Sequence, residues 1–272
     1  MCRESLVDCL PIIKRARFFY LYDINGNRYL DLYLNGGLSF LGHRVKGLNL
    51  ILKQTFSRGL TASYPSVFRK QFENVLFSFF KEAGFVCVFK FEKDARDFLL
   101  SLTGQSCFSN PWEEKQGIYE FRVGFNNFRY PMLVNIPMPG CMSISVAIVD
   151  NLSRKIEFRD TFDALTLAVA RHMFTSILSY EKSLKINFNV FATPMFRIIN
   201  RYMFPLYRFE YHNEVFNEYL KSGYLISPIF NTPSLVPLKF SKGDLDGFFR
   251  VSLRLKEKFG GGAVSIDRLT CK

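Results

Sequence analysis

The stretch "YLYDINGNRYLDLYLNGGLSFLGHR", Tyr20 to Arg44, constrains this chain more than any other. Two runs rich in aromatic and β-branched or leucine residues flank Asn25-Gly26, a dipeptide that accepts the positive φ of a tight two-strand turn. After the turn, Leu30, Leu32 and Leu34 alternate with Tyr29, Asp31, Tyr33 and Asn35. A period of two means a strand with one face buried. Asp23 and Asp31 read as hairpin residues rather than acid–base catalysts. Gly42-His43 reads as a turn glycine with a histidine satisfied by backbone.

Helical spacing takes over next. Leu48, Ile51, Leu52 and Phe56 predict a helix that stops at Gly59. In "SYPSVFRKQFENVLFSFFKEAG", Phe68, Phe72, Val75, Leu76, Phe79 and Phe80 share one helical face, with Pro65-Ser66 at the start and Gly84 at the end. "FVCVFKF" predicts a buried strand and "KDARDFLLSL" a short helix. "TGQSCFSNPWEEKQG" reads as a loop, followed by strands in "IYEFRV", "YPMLVNI" and "MSISVAIV". A long helix is expected from about Ala164 to Leu184, carrying Ala168, Phe174, Ile177 and Leu178. Two more helices fall in "NEVFNEYLKSG" and "GDLDGFFRVSLRLKEKFGGG"; the second has Ser241 and Asp244 at capping-box spacing and a glycine triplet as terminator. Alternating strands and helices make the expected class α/β. The expected divisions are 1–60 (N-terminal hairpin and helix), 61–184 (large domain) and 185–272 (C-terminal small domain).

Composition narrows the partners. The formal net charge is +12, which permits an anionic partner. The basic residues are dispersed, however, and the tightest cluster, "KRAR" at Lys14 to Arg17, is short. No nucleic-acid motif accompanies it, so no nucleic-acid partner is expected. Cys2, Cys9, Cys87, Cys107, Cys141 and Cys271 form no CxxC pair, and with His43, His172 and His212 they give no zinc-ligand spacing. No metal site is expected. "MCRESLVDCLPIIKRAR" lacks a signal-peptide layout and no apolar run is long enough to span a bilayer, so a cytoplasmic, non-membrane protein is expected. The 31 phenylalanines lie at strand and helix spacing and read as core.

The opening, followed in order by Gly42-His43 and "SRGLTASYPS" at Ser57 to Ser66, resembles the N-terminal segment of class-III pyridoxal phosphate (PLP)-dependent aminotransferases, above all the glutamate-1-semialdehyde aminomutase type. The resemblance implies the PLP-transferase fold (fold type I), a C-terminal small α+β domain, PLP as the family's cofactor, and a dimer. It also locates the family's site residues. The phosphate-binding turn, Gly-Ser/Thr-Glu/Asp-Ala, falls on "EKDA": Asp94 and Ala95 match, and Glu92 stands at the turn glycine. A carboxylate beside a phosphate is repulsive, and losing the glycine hinders close backbone approach. A long family segment is missing between Gly104 and Gly117, so a shortened large-domain sheet is expected. If "IYEFRVGFN" matches the family's "FDEVMTGFR", then Glu120, Gly124 and Phe125 are kept and Tyr119 replaces the aspartate that pairs with the cofactor ring nitrogen.

The family strand that carries the Schiff-base lysine is similar to "PMLVNIPMPGCMSISVAIV", Pro131 to Val149, which aligns without a gap and puts Met138 at the lysine. A thioether cannot form an imine. Lys155 and Lys182 are the nearest downstream lysines and neither follows such a strand. "RDTFDALTLAVARHM" keeps Thr161-Phe162, and the family's threonine reaches the partner subunit's cofactor phosphate; Thr161 also reads as a cap for the helix starting near Asp163. Ser222 to Phe249 resembles the family's small domain. Glu120 and Arg122 are read as facing opposite ways, without pairing. The implied reading is a family member that has lost catalysis and acts as an interaction module, as a homodimer or with a complete homologue. Two alternatives stay open. One is an active PLP-dependent enzyme with an unconventional or partner-completed site; the other is a basic anion-binding protein.

Overall fold

In the computed structural model the described residues are 6–7, 9–60, 62–113, 115–125, 127–140, 142–150, 155–183 and 186–259. Their contacts separate into two units: Met1–Arg44 with Lys185–Lys272, and Val45–Leu184. The described residues up to Arg44, read above as part of an N-terminal segment, therefore cluster with the described residues after 185.

The first unit opens with β1 (Ile13–Arg17), β2 (Tyr20–Asp23) and β3 (Arg28–Asp31), paired antiparallel in that order. Gly26 takes φ +87° at the β2–β3 turn, and Asp23 fixes that turn by accepting from the Asn25 and Asn27 amides at 2.9 and 2.8 Å. Leu30, Leu32 and Leu34 are all buried, as the alternation predicts. The strand itself is shorter than the pattern. It ends at Asp31, whose buried carboxylate accepts from the amides of Tyr33 and Leu34 and turns the chain through a run of positive φ at Leu34, Asn35, Gly36 and Gly37.

The second unit holds α1 (Leu48–Ser57), α2 (Val67–Phe79), β4 (Phe85–Phe89), α3 (Glu92–Thr103), β5 (Phe108–Ser109), β6 (Ile118–Glu120), β7 (Met132–Asn135), β8 (Ser145–Val149), β9 (Lys155–Phe158) and α4 (Ala164–Ser183). Its sheet has six strands in the order β5-β6-β7-β8-β4-β9. β8 runs antiparallel to both neighbours, and every other pair is parallel. Strands covered on both faces are near-continuous apolar runs, as "FVCVF" is and as "SVAIV" is after Ser145, whose buried hydroxyl donates to Asn135 Oδ1 at 2.8 Å. One layer is α3, whose Ala95 and Leu99 pack with Cys87, Phe89, Ile118, Leu133 and Ala147. α4 packs against α1 and α2. Phe79, Phe80, Phe121, Phe128 and Phe174 form one aromatic cluster, edge-to-face around Phe79, with centroids 4.7 Å apart for Phe79–Phe80 and 5.3 Å for Phe79–Phe174. Thus these phenylalanines are core.

Two expectations need correcting here, and one strand went unread. The segment read as a loop contains β5, which pairs parallel with β6; two residues carry no detectable period. "KIEF" forms β9 beside β4, an edge strand whose charges hid its alternation. α2 stops at Phe79 instead of running to Gly84, and Phe80 leaves the helix (φ −90°, ψ 72°) while staying fully buried.

The first unit resumes with β10 (Phe196–Ile199), β11 (Tyr202–Pro205), α5 (His212–Lys221), β12 (Tyr224–Leu225), β13 (Ser234–Leu235) and α6 (Lys242–Phe259). β12 joins β3 in parallel to complete a four-stranded sheet, and β10-β11-β13 form a second. The expected capping box is present: Ser241 N donates to Asp244 Oδ2 at 2.8 Å, and Asp244 N donates to Ser241 Oγ at 3.1 Å. The glycine triplet 260–262 and Leu184 lie outside the described residues.

His212, the first residue of α5, is buried against the Tyr207 and Phe230 rings, with Nδ1 3.1 Å from the Tyr207 hydroxyl. Burial lowers its pKa, outweighing the Ser227 and Pro228 carbonyls that favour the charged ring. The unfolded chain then binds this proton more readily than the folded one. Stability should therefore fall as pH drops below the unfolded histidine value of about 6.5, down to the lower folded pKa. Urea unfolding from pH 8 to pH 5 reads this, and His212→Gln should flatten that part of the profile. An unchanged slope in the variant would refute the assignment.

Candidate functional site

The resemblance directs attention to the second unit, where β4, β6, β7 and β9 run parallel and end together on one edge of the sheet. In open α/β sheets that carboxyl edge is where ligands bind. Met138 lies just past β7, in the connection closed by Ile136 N donating to Ile144 O at 3.0 Å, and is only 2% exposed. The apolar residues on both sides make a buried thioether acceptable there. Lys155, by contrast, is exposed at the start of β9.

Tyr119 is buried within β6. Burial pushes its phenol above the ordinary tyrosine value against an opposing contribution from Arg129, so it is neutral at pH 7. The neighbouring Glu120 is held by two guanidiniums. Arg96, from α3, contacts one carboxylate oxygen, and Arg122 donates to the other at 2.5 Å. The expectation that Glu120 and Arg122 would not pair is wrong for a simple reason: residues two apart on an extended chain project to the same side. Arg122 also donates to Asn110 Oδ1 at 2.9 Å, and Asn110 Nδ2 donates to Glu113 Oε1 at 3.2 Å. The network so joins β6 to the segment before it.

The first turn of α3 carries Glu92 and Asp94, and its N-cap, Phe91, supplies no side-chain hydrogen bond. Glu92 Oε1 accepts from Arg96 Nε at 2.7 Å. Carboxylates here complement the helix dipole, as an anion would, and they occupy the position where an external anion would gain from it. Asp94 is exposed. Ala95 is fully buried in the sheet–helix core, so its small side chain serves close packing.

Thr161 is exposed and does not cap α4; Asp163 does, accepting from Thr166 N at 2.7 Å. Thr161 lines a cleft of about 270 Å³ with Ser63, Tyr64, Ser66, Arg69 and Arg159. Arg69 stacks over the Phe158 ring at 4.1 Å. The cleft so unites Thr161 with the "SYPS" stretch.

Two polar constellations went unread in the sequence. The first is Glu120 with Arg96 and Arg122, for which the two-residue spacing of Glu120 and Arg122 in an extended stretch was an available signal. The second lies in the other unit. There His43 Nε2 is 2.8 Å from the Asp31 carboxylate, and the ring is satisfied by that acid rather than by backbone. Its own amide donates to Phe18 O at 2.7 Å. Among the described residues no His, Cys, Asp and Glu cluster could hold a metal ion, and no helix is long and apolar enough to cross a membrane.

An uncharacterized protein of Borreliella burgdorferi is 65% identical over 257 residues, covering 94% of this chain and 96% of that one. A glutamate-1-semialdehyde 2,1-aminomutase of Thermus thermophilus is 38% identical over 56 residues, 21% of this chain and 13% of that enzyme. Among solved structures, an ornithine aminotransferase of Plasmodium yoelii superposes with a TM-score of 0.67 over 91% of this chain and 94% of its own, at 12% identity. No family model matches the chain.

Proposed function

Because this chain belongs to one family with the Borreliella burgdorferi protein and has the fold of class-III PLP-dependent aminotransferases, we propose that it is a member that has lost Schiff-base catalysis and works as a cytoplasmic interaction module. The observation that supports it is the burial of Met138 in the β7–β8 connection, the residue that the resemblance sets against the family's lysine. The rest of the donor set fits PLP as poorly. Tyr119 stands at the ring-pairing aspartate as a neutral phenol, and Glu92 with Asp94 put two carboxylates at the turn that would face a phosphate. Glu120 is no substitute acid, since its charge is taken by Arg96 and Arg122.

The test is covalent trapping. After incubation with PLP and borohydride, peptide mapping should find no single lysine labelled stoichiometrically. One unique pyridoxyl-lysine would overturn the reading. Met138→Lys alone should also yield no transamination, because the ring acid and phosphate turn remain altered.

Self-association, or pairing with a complete homologue, is the second part of the proposal. Leu50, Phe56, Tyr64 and Val67, on and around α1 and α2, are each more than half exposed, and apolar groups so placed suit a partner surface. Thr161 is exposed, consistent with the family's threonine reaching across to a partner's cofactor phosphate. Sedimentation at several concentrations should give a defined oligomer, alone or with the homologue. A monomer under both conditions would remove this part.

A further inference from the structure

We infer that a groove along α6, in the first unit, binds a phosphate-bearing small molecule. Gly243, Gly247, Arg250 and Arg254 recur along α6 at intervals of four, three and four residues, so they share one face of the helix. With Ser222 and Tyr224 they line a groove of about 560 Å³. That volume falls within the range of small-molecule sites.

What singles the groove out is its unbalanced charge. The Asp244 carboxylate is fully engaged, accepting from Arg28, Tyr20 and Ser241 at 2.8, 2.7 and 2.6 Å. Glu218 is shared at long range between Arg254, at 3.5 Å, and Lys221, at 3.4 Å. Arg250 makes no ion pair among the described residues, even though the exposed Asp246 precedes it by one turn. Two guanidiniums one helical turn apart thus share half a carboxylate.

Shape complements the charge. Gly247 lets the Tyr224 phenol lie against the helix, where a Cβ would come within 2.2 Å of its oxygen, and that hydroxyl donates to the Asp244 carbonyl at 2.8 Å. The hydroxyl is thereby fixed and the ring forms a wall. Val251 adds apolar surface beside it. A guanidinium presents a planar fork that grips two oxygens of a tetrahedral oxyanion, and a phosphate monoester offers oxygens and charge for two forks at once. A lone carboxylate satisfies only one. The remaining volume accepts an organic body against Tyr224 and Val251. This inference is independent of whether catalysis is lost, since none of its residues belongs to the sheet edge of the second unit.

The experiment is calorimetric titration of the full chain with phenyl phosphate and, as the minimal probe, inorganic phosphate at low ionic strength. Saturable binding of phenyl phosphate is expected, with inorganic phosphate competing. Arg250→Ala with Arg254→Ala should weaken it about tenfold or more, the scale of losing charge-assisted hydrogen bonds. Lys14→Ala with Arg15→Ala removes the same charge from β1 and should change affinity by less than about twofold. The Arg250→Lys, Arg254→Lys pair keeps charge and helix propensity, so its weakening would report the lost forks rather than misfolding. No saturable heat, an equal loss in the β1 variant, or binding to a short oligonucleotide that phenyl phosphate cannot displace would each overturn the assignment.

Discussion

Gly42→Ala is expected to cost about 3 kcal/mol of stability, several times what a surface substitution does. Two effects combine. Gly42 has φ +87°, a left-handed conformation that costs an L-residue about 1–2 kcal/mol. An added Cβ would also sit 2.7 Å from Phe18 O and 3.2 Å from the Phe19 ring. The carbonyl cannot yield, because it accepts the His43 amide at 2.7 Å and Phe18 is itself at φ 54°. Any shift of that turn would also move His43 off Asp31. Gly26 provides the internal comparison. It too has φ +87°, but nothing lies within 4 Å of its added Cβ, so Gly26→Ala should cost only about 1 kcal/mol. Urea unfolding of both variants measures the difference. Equal losses would mean that close packing at Gly42 contributes nothing.

The contrast between these glycines also marks what the sequence could disclose. Gly26 announces itself, because Asn-Gly between alternating runs is a local signal and the hairpin needs nothing distant to form. Gly42 was legible as a turn, but its necessity depends on a carbonyl 24 positions earlier in the chain (Phe18), which no window reveals. Asp31 fails to read for the same reason. Its place in the alternation suggests an ordinary strand residue, whereas its carboxylate caps a turn and takes a histidine twelve residues away. The long elements α2, α3 and α4 were plain from their period, whereas β5 and β9 were invisible, one too short and one at a charged edge. At the candidate site, Met138 and Tyr119 stand out only through resemblance, since a methionine in a connection and a tyrosine in a strand carry no chemistry of their own. Their burial is a fact of the fold. Thr161 was readable as a cap candidate, but the side chain that reaches Thr166 N is that of Asp163.

Glu120→Ala is expected to destabilise the protein by about 2 kcal/mol. Removing one partner from a buried ion pair leaves uncompensated charge and typically costs 3–5 kcal/mol. The value is discounted here because the Arg96 and Arg122 side chains are about a third exposed (32% and 33%), although Glu120 itself is only 12% exposed. What remains after the substitution is two guanidiniums facing one site, with Glu92 left for Arg96 and Asn110 for Arg122. Like charges at that spacing repel, and salt screens the repulsion. The variant should therefore recover part of its loss in high salt, where the parent gains little. Glu120→Gln, keeping an acceptor without the charge, should fall between. Replacing Glu120, Arg96 and Arg122 together with apolar residues of similar volume should cost less than Glu120→Ala alone, because no stranded charge remains. Unfolding free energies for the four proteins at low and high salt provide the measurement. If Glu120→Ala loses less than about 0.5 kcal/mol at low salt, the guanidiniums do not depend on Glu120, and the network does not tie β6 to α3.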